Sequence, residues 1–193
     1  MTTVGGRLEA IVLAAGGGVR FGGAKLTAPW RGRALIDGAL DAALAAPVRS
    51  VWLVTGADPR VIRVGAVRQD ERLNFVHARD HALGMAASLR AGLATLPPDT
   101  AAAFVFLGDM PLIPRGIPAR LAKTLGGSIL ASAPVCGGRR GHPVLFTAKL
   151  FPSLAALEGD EGGRRILEPL GSRLALVETD DAGVLFDVDT RDQ

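Results

Sequence analysis

The stretch "LAAGGGVRFGGAK", residues 13 to 25, sets glycines 16, 17, 18, 22 and 23 beside Arg20 and Lys25, directly behind an apolar run. Glycines remove the side chains that would keep an anion away from backbone N–H groups, and the two cations add positive charge. That chemistry suits a triphosphate. A flexible strand-to-helix turn carrying two solvated cations is the competing reading of the same residues. The Walker pattern G-x-x-x-x-G-K-[ST] fails, because Ala24 separates Gly23 from Lys25 and Leu26 stands where a magnesium-binding hydroxyl belongs. The dinucleotide fingerprint G-x-G-x-x-G fails too, because Phe21 takes the third glycine position after Gly16 and Gly18.

Carboxylates supply the complementary chemistry. In "FLGDMPLI" an apolar run delivers Asp109 to its carboxyl end, and Pro111 and Pro114 stop the chain from continuing in a sheet. Mg²⁺ takes one or two carboxylates and completes its shell with phosphate and water, so Asp109 is a candidate ligand; a helix N-cap or turn aspartate fits the same spacing. Near the C-terminus "LFDVDT" alternates apolar and acidic residues, which predicts a strand with Asp187 and Asp189 on one face. They are either further metal ligands or an ordinary solvated edge. His142, ahead of Pro143, reads equally as a substrate contact or as a side chain hydrogen-bonded at a strand start.

These residues need a scaffold that brings them together. Apolar, β-branched runs at 8–15, 50–56, 73–78 and 102–109 read as buried strands. Between them, Leu35, Ile36, Ala39, Leu40, Ala43 and Leu44 make one helical stripe, and Met85, Leu89, Leu93 and Leu96 another. The alternation predicts βαβ units, a mostly parallel sheet covered on both faces, and ligands at the carboxyl ends of its strands. The second half predicts strands at 127–135 and 141–146 around the turn "CGGRRG", helical "FPSLAAL" and "GDEGGRRILEPL", and two final strands, "RLALVET" and "VLFDVD". No repeat or linker interrupts the chain, so the expectation is a single three-layer α/β domain over residues 1–193.

Composition narrows the function classes. With 193 residues, 48% hydrophobic and 21% charged, the chain is long enough to bury a sizeable core. Its 22 basic residues against 19 acidic ones leave a net charge of +3, too small an excess to predict nucleic-acid binding. One cysteine, Cys136, excludes an internal disulfide and a thiolate zinc cluster, in keeping with a reducing compartment. No apolar run reaches membrane-span length and the N-terminus lacks a leader pattern, so the expected location is the cytoplasm. Lysine occurs only at 25, 123 and 149, which sets Lys25 apart inside an otherwise arginine-using chain.

Taken in order, "LAAGGGVRFGGAKL", "PWRGRALID", "LVTG", "GMAASLRAGL", "GDMPL", "GRRGHPVLF", "GDEGGRRIL" and "FDVDT" resemble the MobA-like nucleotidyltransferases, and within them the molybdenum cofactor cytidylyltransferases. The resemblance spans nearly the whole chain. It implies the Rossmann-like fold of nucleotide-diphospho-sugar transferases, and a Mg²⁺-dependent reaction in which the terminal phosphate of molybdopterin cofactor attacks the α-phosphate of CTP and pyrophosphate leaves. Carried over by motif, Leu13, Ala14, Ala15, Gly16, Gly17 and Gly18 meet base and phosphates, Arg20 and Lys25 bind the triphosphate, and Ser88 lies near the nucleotide. Asp109 holds Mg²⁺ with Asp187 or Asp189, while His142 and Arg164 face the pterin. Lys25, Arg20 and Asp109 make up the catalytic set. "LAAG", with Ala15, resembles the branch that uses CTP rather than GTP. A recipient molybdoenzyme or its chaperone is the implied downstream partner, with no role for nucleic acid or membrane. Because a phosphate monoester with a second pKa near 6 is already ionised, the reaction requires no histidine base.

The chain departs from that pattern at Ala78 and Arg79, where relatives carry Asn-Pro, and at its ending "DTRDQ". Transfer to another phosphate acceptor such as a sugar 1-phosphate, guanylyl transfer, and a non-catalytic cofactor-insertion chaperone on the same fold are the rival readings.

Overall fold

The computed structural model describes residues 7–16, 18 and 21–190. Among them the strands are β1 (Leu8–Ala14), β2 (Pro29–Trp30), β3 (Arg33–Ala34), β4 (Ser50–Thr55), β5 (Leu73–His77), β6 (Ala102–Leu107), β7 (Ala131–Cys136), β8 (Arg139–Arg140), β9 (Val144–Thr147) and β10 (Leu174–Glu178). The helices are α1 (Asp37–Leu44), α2 (Arg60–Ala66), α3 (Met85–Ala94), α4 (Ile117–Ala122), α5 (Phe151–Ala155) and α6 (Arg164–Leu167).

β1 is buried along its whole length, as its unbroken apolar run requires of a central parallel strand. It pairs in parallel with β4 on one side and β6 on the other. The main sheet runs β10-β7-β9-β6-β1-β4-β5, with β8 hydrogen-bonded to β7. β9 is antiparallel to both β6 and β7, and β8 to β7; the remaining pairs are parallel. The sheet is therefore mostly parallel and Rossmann-like, as expected. Strand order reverses at β1, because the chain fills β4 and β5 on one side before crossing to β6 on the other. The carboxyl ends of β1 and β6 flank that switch point, where open α/β sheets place their ligands.

Alternation along β1 divides the core in two. Ala10, Val12 and Ala14 pack with Ala39 and Leu40 of α1, Val61 of α2 and Ile117 and Leu121 of α4. Ile11 and Leu13 pack on the other face with Leu89 of α3, Leu154 of α5 and Leu167 of α6. Glu9 is the exception in this strand. Its carboxylate is fully buried, and Arg49 Nε at 2.8 Å and Trp52 Nε1 at 3.1 Å donate to it, which offsets its lost hydration.

Two expectations are corrected. The helical stripe does not reach Leu96: α3 stops at Ala94, ahead of Pro97 and Pro98, and Leu96 lies in the turn beyond. The segment "VLFDVD" is not a strand. Residues Ala182–Leu185 form a 3-10 turn capped by Asp181, whose carboxylate accepts from the Gly183 N–H, and 186–189 run on outside the sheet. The chain is tied instead to neighbouring loops, with the Val188 N–H donating to the Asp109 carbonyl at 3.1 Å and the His142 N–H to the Val184 carbonyl at 2.8 Å. The apolar–acidic alternation reflects one buried residue, Val188, between two exposed aspartates.

Among the described residues no helix is long and apolar enough to cross a membrane.

Candidate active site

The glycine loop leaves the end of β1 and turns back at Gly18. The Gly18 carbonyl accepts from the N–H groups of both Phe21 and Gly23 at 3.0 Å, and the buried Phe21 anchors the turn. Gly18 has φ +59°, and a Cβ there would lie 2.6 Å from the Cβ of Lys25. Only glycine combines that backbone conformation with so close an approach, and the approach sets the course of the lysine. Lys25 itself opens a 3-10 turn fastened by the buried Leu26.

β6 supplies the partner. Its ladder with β1 continues one step into the loop, since the Gly108 N–H donates to the Leu13 carbonyl at 2.9 Å. Asp109 thereby emerges beside the glycine loop, and its Oδ2 accepts from Lys25 Nζ at 2.8 Å. Asp189 Oδ1 approaches the same ammonium at 3.6 Å. Asp109 does lie in a turn, as one reading of the sequence has it, but its carboxylate goes to Lys25 and caps no helix. Asp187 is exposed, and its charge acts on His142.

Two cavities adjoin this cluster and share Leu13, Met85 and Leu107 in their walls. One, of about 720 Å³, is lined by Ala15, Gly16, Gly18, Lys25, Ser88 and Asp109 among others, so it gathers the residues expected at the nucleotide. His81 closes its other side: the ring Nδ1 sits 3.0 Å from the Ala78 carbonyl, and the ring packs against Gly56. The other cavity, of about 560 Å³, has apolar walls from Val105, Val144 and Phe146 and carries His142, Arg139, Arg140 and Arg164. Lys25, Gly16 and Gly18 thus face one cavity, His142 and Arg164 the other.

Burial holds the His142 imidazole below its ordinary pKa, against the opposing pull of a Val105 backbone hydrogen bond and of the charges on Asp109 and Asp187. Burial thereby favours the neutral ring. Its Nδ1 is sealed from solvent and meets no hydrogen-bond partner among the described residues. Arg164 lies at the surface, paired with Glu168 at 3.0 Å.

Of the residues predicted from sequence, Leu13, Ala15, Gly16, Gly18, Lys25, Ser88 and Asp109 come together around one cavity. Ala14 is the last residue of β1 and points into the core beneath the loop. Gly17 and Arg20 lie outside the described residues. Asp160, Arg139 and Arg140 also line the cavities, although neither spacing nor periodicity singles them out. The arginine pair reads in sequence as part of the turn "CGGRRG" and of the motif "GRRGHPVLF", with no role given to either side chain, and it forms β8 instead; Asp160 finds its partner at position 85, far along the chain.

Metal capacity follows from the donors. Among the described residues no three His, Cys, Asp or Glu side chains gather into a preformed site, so Asp109, Asp187 and Asp189 do not form one trio. Asp109 and Asp189 nevertheless converge on one cation, the Lys25 ammonium. Two convergent carboxylates are a donor set that Mg²⁺ accepts, with phosphate and water completing its shell.

A mostly parallel sheet with a glycine loop, a lysine and an aspartate at its switch point defines the class of nucleotide-handling α/β transferases. The chain belongs to the MobA-like NTP transferase domain family, whose profile matches residues 10–176, and is a nucleotidyltransferase of that family. It is 31% identical over 199 residues to the nicotine blue oxidoreductase of Paenarthrobacter nicotinovorans, covering 95% of this chain and 92% of that protein. It is 27% identical over 186 residues to the molybdenum cofactor cytidylyltransferase of Escherichia coli (strain K12), covering 96% and 92%. The crystal structure of Rv0371c from Mycobacterium tuberculosis H37Rv superposes with a TM-score of 0.82 at 27% identity, covering 97% of this chain and 95% of that one.

Proposed function

We propose that the protein transfers CMP from CTP to the terminal phosphate of molybdopterin cofactor and releases pyrophosphate. The observation that carries this reading is the pair of adjoining cavities, one with the glycine loop and the Lys25–Asp109 pair, the other basic and apolar. Similarity to the molybdenum cofactor cytidylyltransferase supports the acceptor, and Ala15 in the cavity wall supports a pyrimidine base.

Transfer between two anions asks for in-line alignment and for positive charge where negative charge builds up. The loop N–H groups and the Lys25 ammonium provide that charge in the nucleotide cavity. Arg139, Arg140 and Arg164 hold the anionic acceptor in the other, and the apolar walls at Val105, Val144 and Phe146 take its ring system. Asp109 and Asp189 are the residues that would hold Mg²⁺, which supplies further neutralisation of phosphate charge. An acceptor phosphate is already ionised near neutral pH. No base is therefore required, and His142 serves as a hydrogen-bonding group toward the acceptor.

The test is pyrophosphate release from CTP, GTP, ATP and UTP, each with and without molybdopterin cofactor. Release that requires the acceptor and is fastest with CTP supports the reading. A second reading, oxidoreductase activity, is favoured by the 31% identical nicotine blue oxidoreductase. Turnover of nicotine blue by the protein with an added reductant, without pyrophosphate release, decides for it.

A further inference from the structure

We infer that Asp160 is a positioning residue: by capping α3 from a distant loop it fixes the partition between the two cavities and so aligns both substrates from one anchor. The inference rests on the two-substrate reading above. The first N–H groups of an α-helix have no partner within the helix, and α3 begins after Gly84, which has no side chain to cap them. The missing acceptors come from residues 159–160. The Met85 N–H donates to Asp160 Oδ1 at 3.1 Å, across 75 positions of sequence, and the Ala86 N–H donates to the Gly159 carbonyl at 3.0 Å. The carboxylate also lies at the positive end of the helix dipole.

The docking is close. Gly84 has φ +106°, and a Cβ there would lie 2.3 Å from the Gly159 carbonyl oxygen, so the loop rests on bare backbone. A second fastening lies one turn along α3, where Arg90 Nε donates to the Ala155 carbonyl at 3.0 Å and its Nη2 to the Leu157 carbonyl at 2.9 Å. From this anchor the loop divides the space. Asp160 lines the nucleotide cavity beside Gly84 and Ser88, Gly162, Gly163 and Arg164 line the acceptor cavity, and Met85 belongs to both. Because Asp160 occupies the end of α3, that helix end offers no phosphate site, and the triphosphate is left to the glycine loop.

The experiment compares wild type, Asp160→Ala and Asp160→Asn, all checked for folding. Amide exchange is followed without ligand, CTP binding by calorimetry, and KM and kcat with CTP and molybdopterin cofactor. Asn keeps the accepting oxygen and loses the charge. In Asp160→Ala we expect exchange at Met85, Ala86 and residues 159–163 to rise about tenfold and KM for both substrates to rise about tenfold, with kcat nearly unchanged, the scale of one lost helix cap. Asp160→Asn is expected to restore all of these close to wild type. Wild-type exchange and CTP affinity in Asp160→Ala, a KM change confined to one substrate, or an Asn variant as impaired as Ala would each overturn the inference. Failure of the cytidylyl-transfer reading looks different: wild type then shows no acceptor-dependent turnover of CTP, while the exchange comparison still decides whether Asp160 is the anchor.

Discussion

Lys25 touches two carboxylates and lies beside the glycine loop, so it carries the strongest prediction at the level of single residues. Lys25→Ala should lower kcat/KM by about 2 to 4 kcal/mol of transition-state stabilisation, the scale of removing one preorganised charge partner. Near-wild-type turnover in steady-state assays would remove the lysine from the reaction. Asp109→Asn should keep the fold and lose the dependence of rate on divalent metal, and a magnesium titration matching wild type would place the metal elsewhere. Both residues were legible in the sequence for the same physical reason. An apolar strand that ends abruptly in glycine and a lone charge announces a side chain delivered to the end of a parallel sheet. Asp160 could not be found that way, because its function depends on a loop folding back over α3, and nothing local to "GDEGG" reveals that contact. Asp187 and Asp189, expected on one face of a strand as metal ligands or as a solvated edge, lie exposed on either side of Val188, on a strap tied to the Asp109 carbonyl and not on a strand.

At the level of elements, the loop that carries Asp109 is gripped between bare backbones. A Cβ at Gly38, in the first turn of α1, would lie 2.0 Å from the Pro111 carbonyl oxygen, and one at Gly183 would lie 2.0 Å from that of Leu112. Glycine to alanine inside a helix ordinarily stabilises by about 0.5 to 1 kcal/mol. Here the sign reverses, since the methyl meets backbone that cannot step aside without moving Asp109. Gly38→Ala is expected to lower the melting temperature and to cut activity beyond the loss of folded protein, and a stabilised, fully active variant would show that the loop yields. The long strands and α1 and α3 were readable because their apolar spacing is dictated by the core they cover. α2, α4 and the β2–β3 hairpin were not, since each is short and held by particular contacts. Arg68, for example, fastens the end of α2 to Asp37 and Asp41 of α1.

Considered as a whole, the molecule depends on such ion pairs away from the site as well. Burial pushes the Asp41 carboxyl upward, but hydrogen bonds from Arg33 and Arg68 outweigh it and hold the group below the usual carboxylate range. A carboxylate depressed in the folded state adds stability above its unfolded pKa of about 3.9, and that stability is lost as pH falls through the folded value. Asp41→Asn should therefore cost about 1 to 3 kcal/mol at neutral pH and show a shallower loss on acidification, measured by urea titration across the acid range. An unchanged pH profile would show that the pair contributes nothing. The mostly parallel sheet and its two covered faces followed from the alternation of apolar strands with helical stripes, whereas the strand order, the antiparallel β9 and the division of the active end into two cavities arise from long-range packing. The most direct test of cytidylyl transfer uses CTP labelled at its α-phosphate, incubated with the protein, Mg²⁺ and molybdopterin cofactor. The account predicts that the label appears in a cytosine dinucleotide form of the acceptor, in step with pyrophosphate and only when acceptor is present. Label that stays in CTP, or is released as free CMP whether or not acceptor is added, would contradict it.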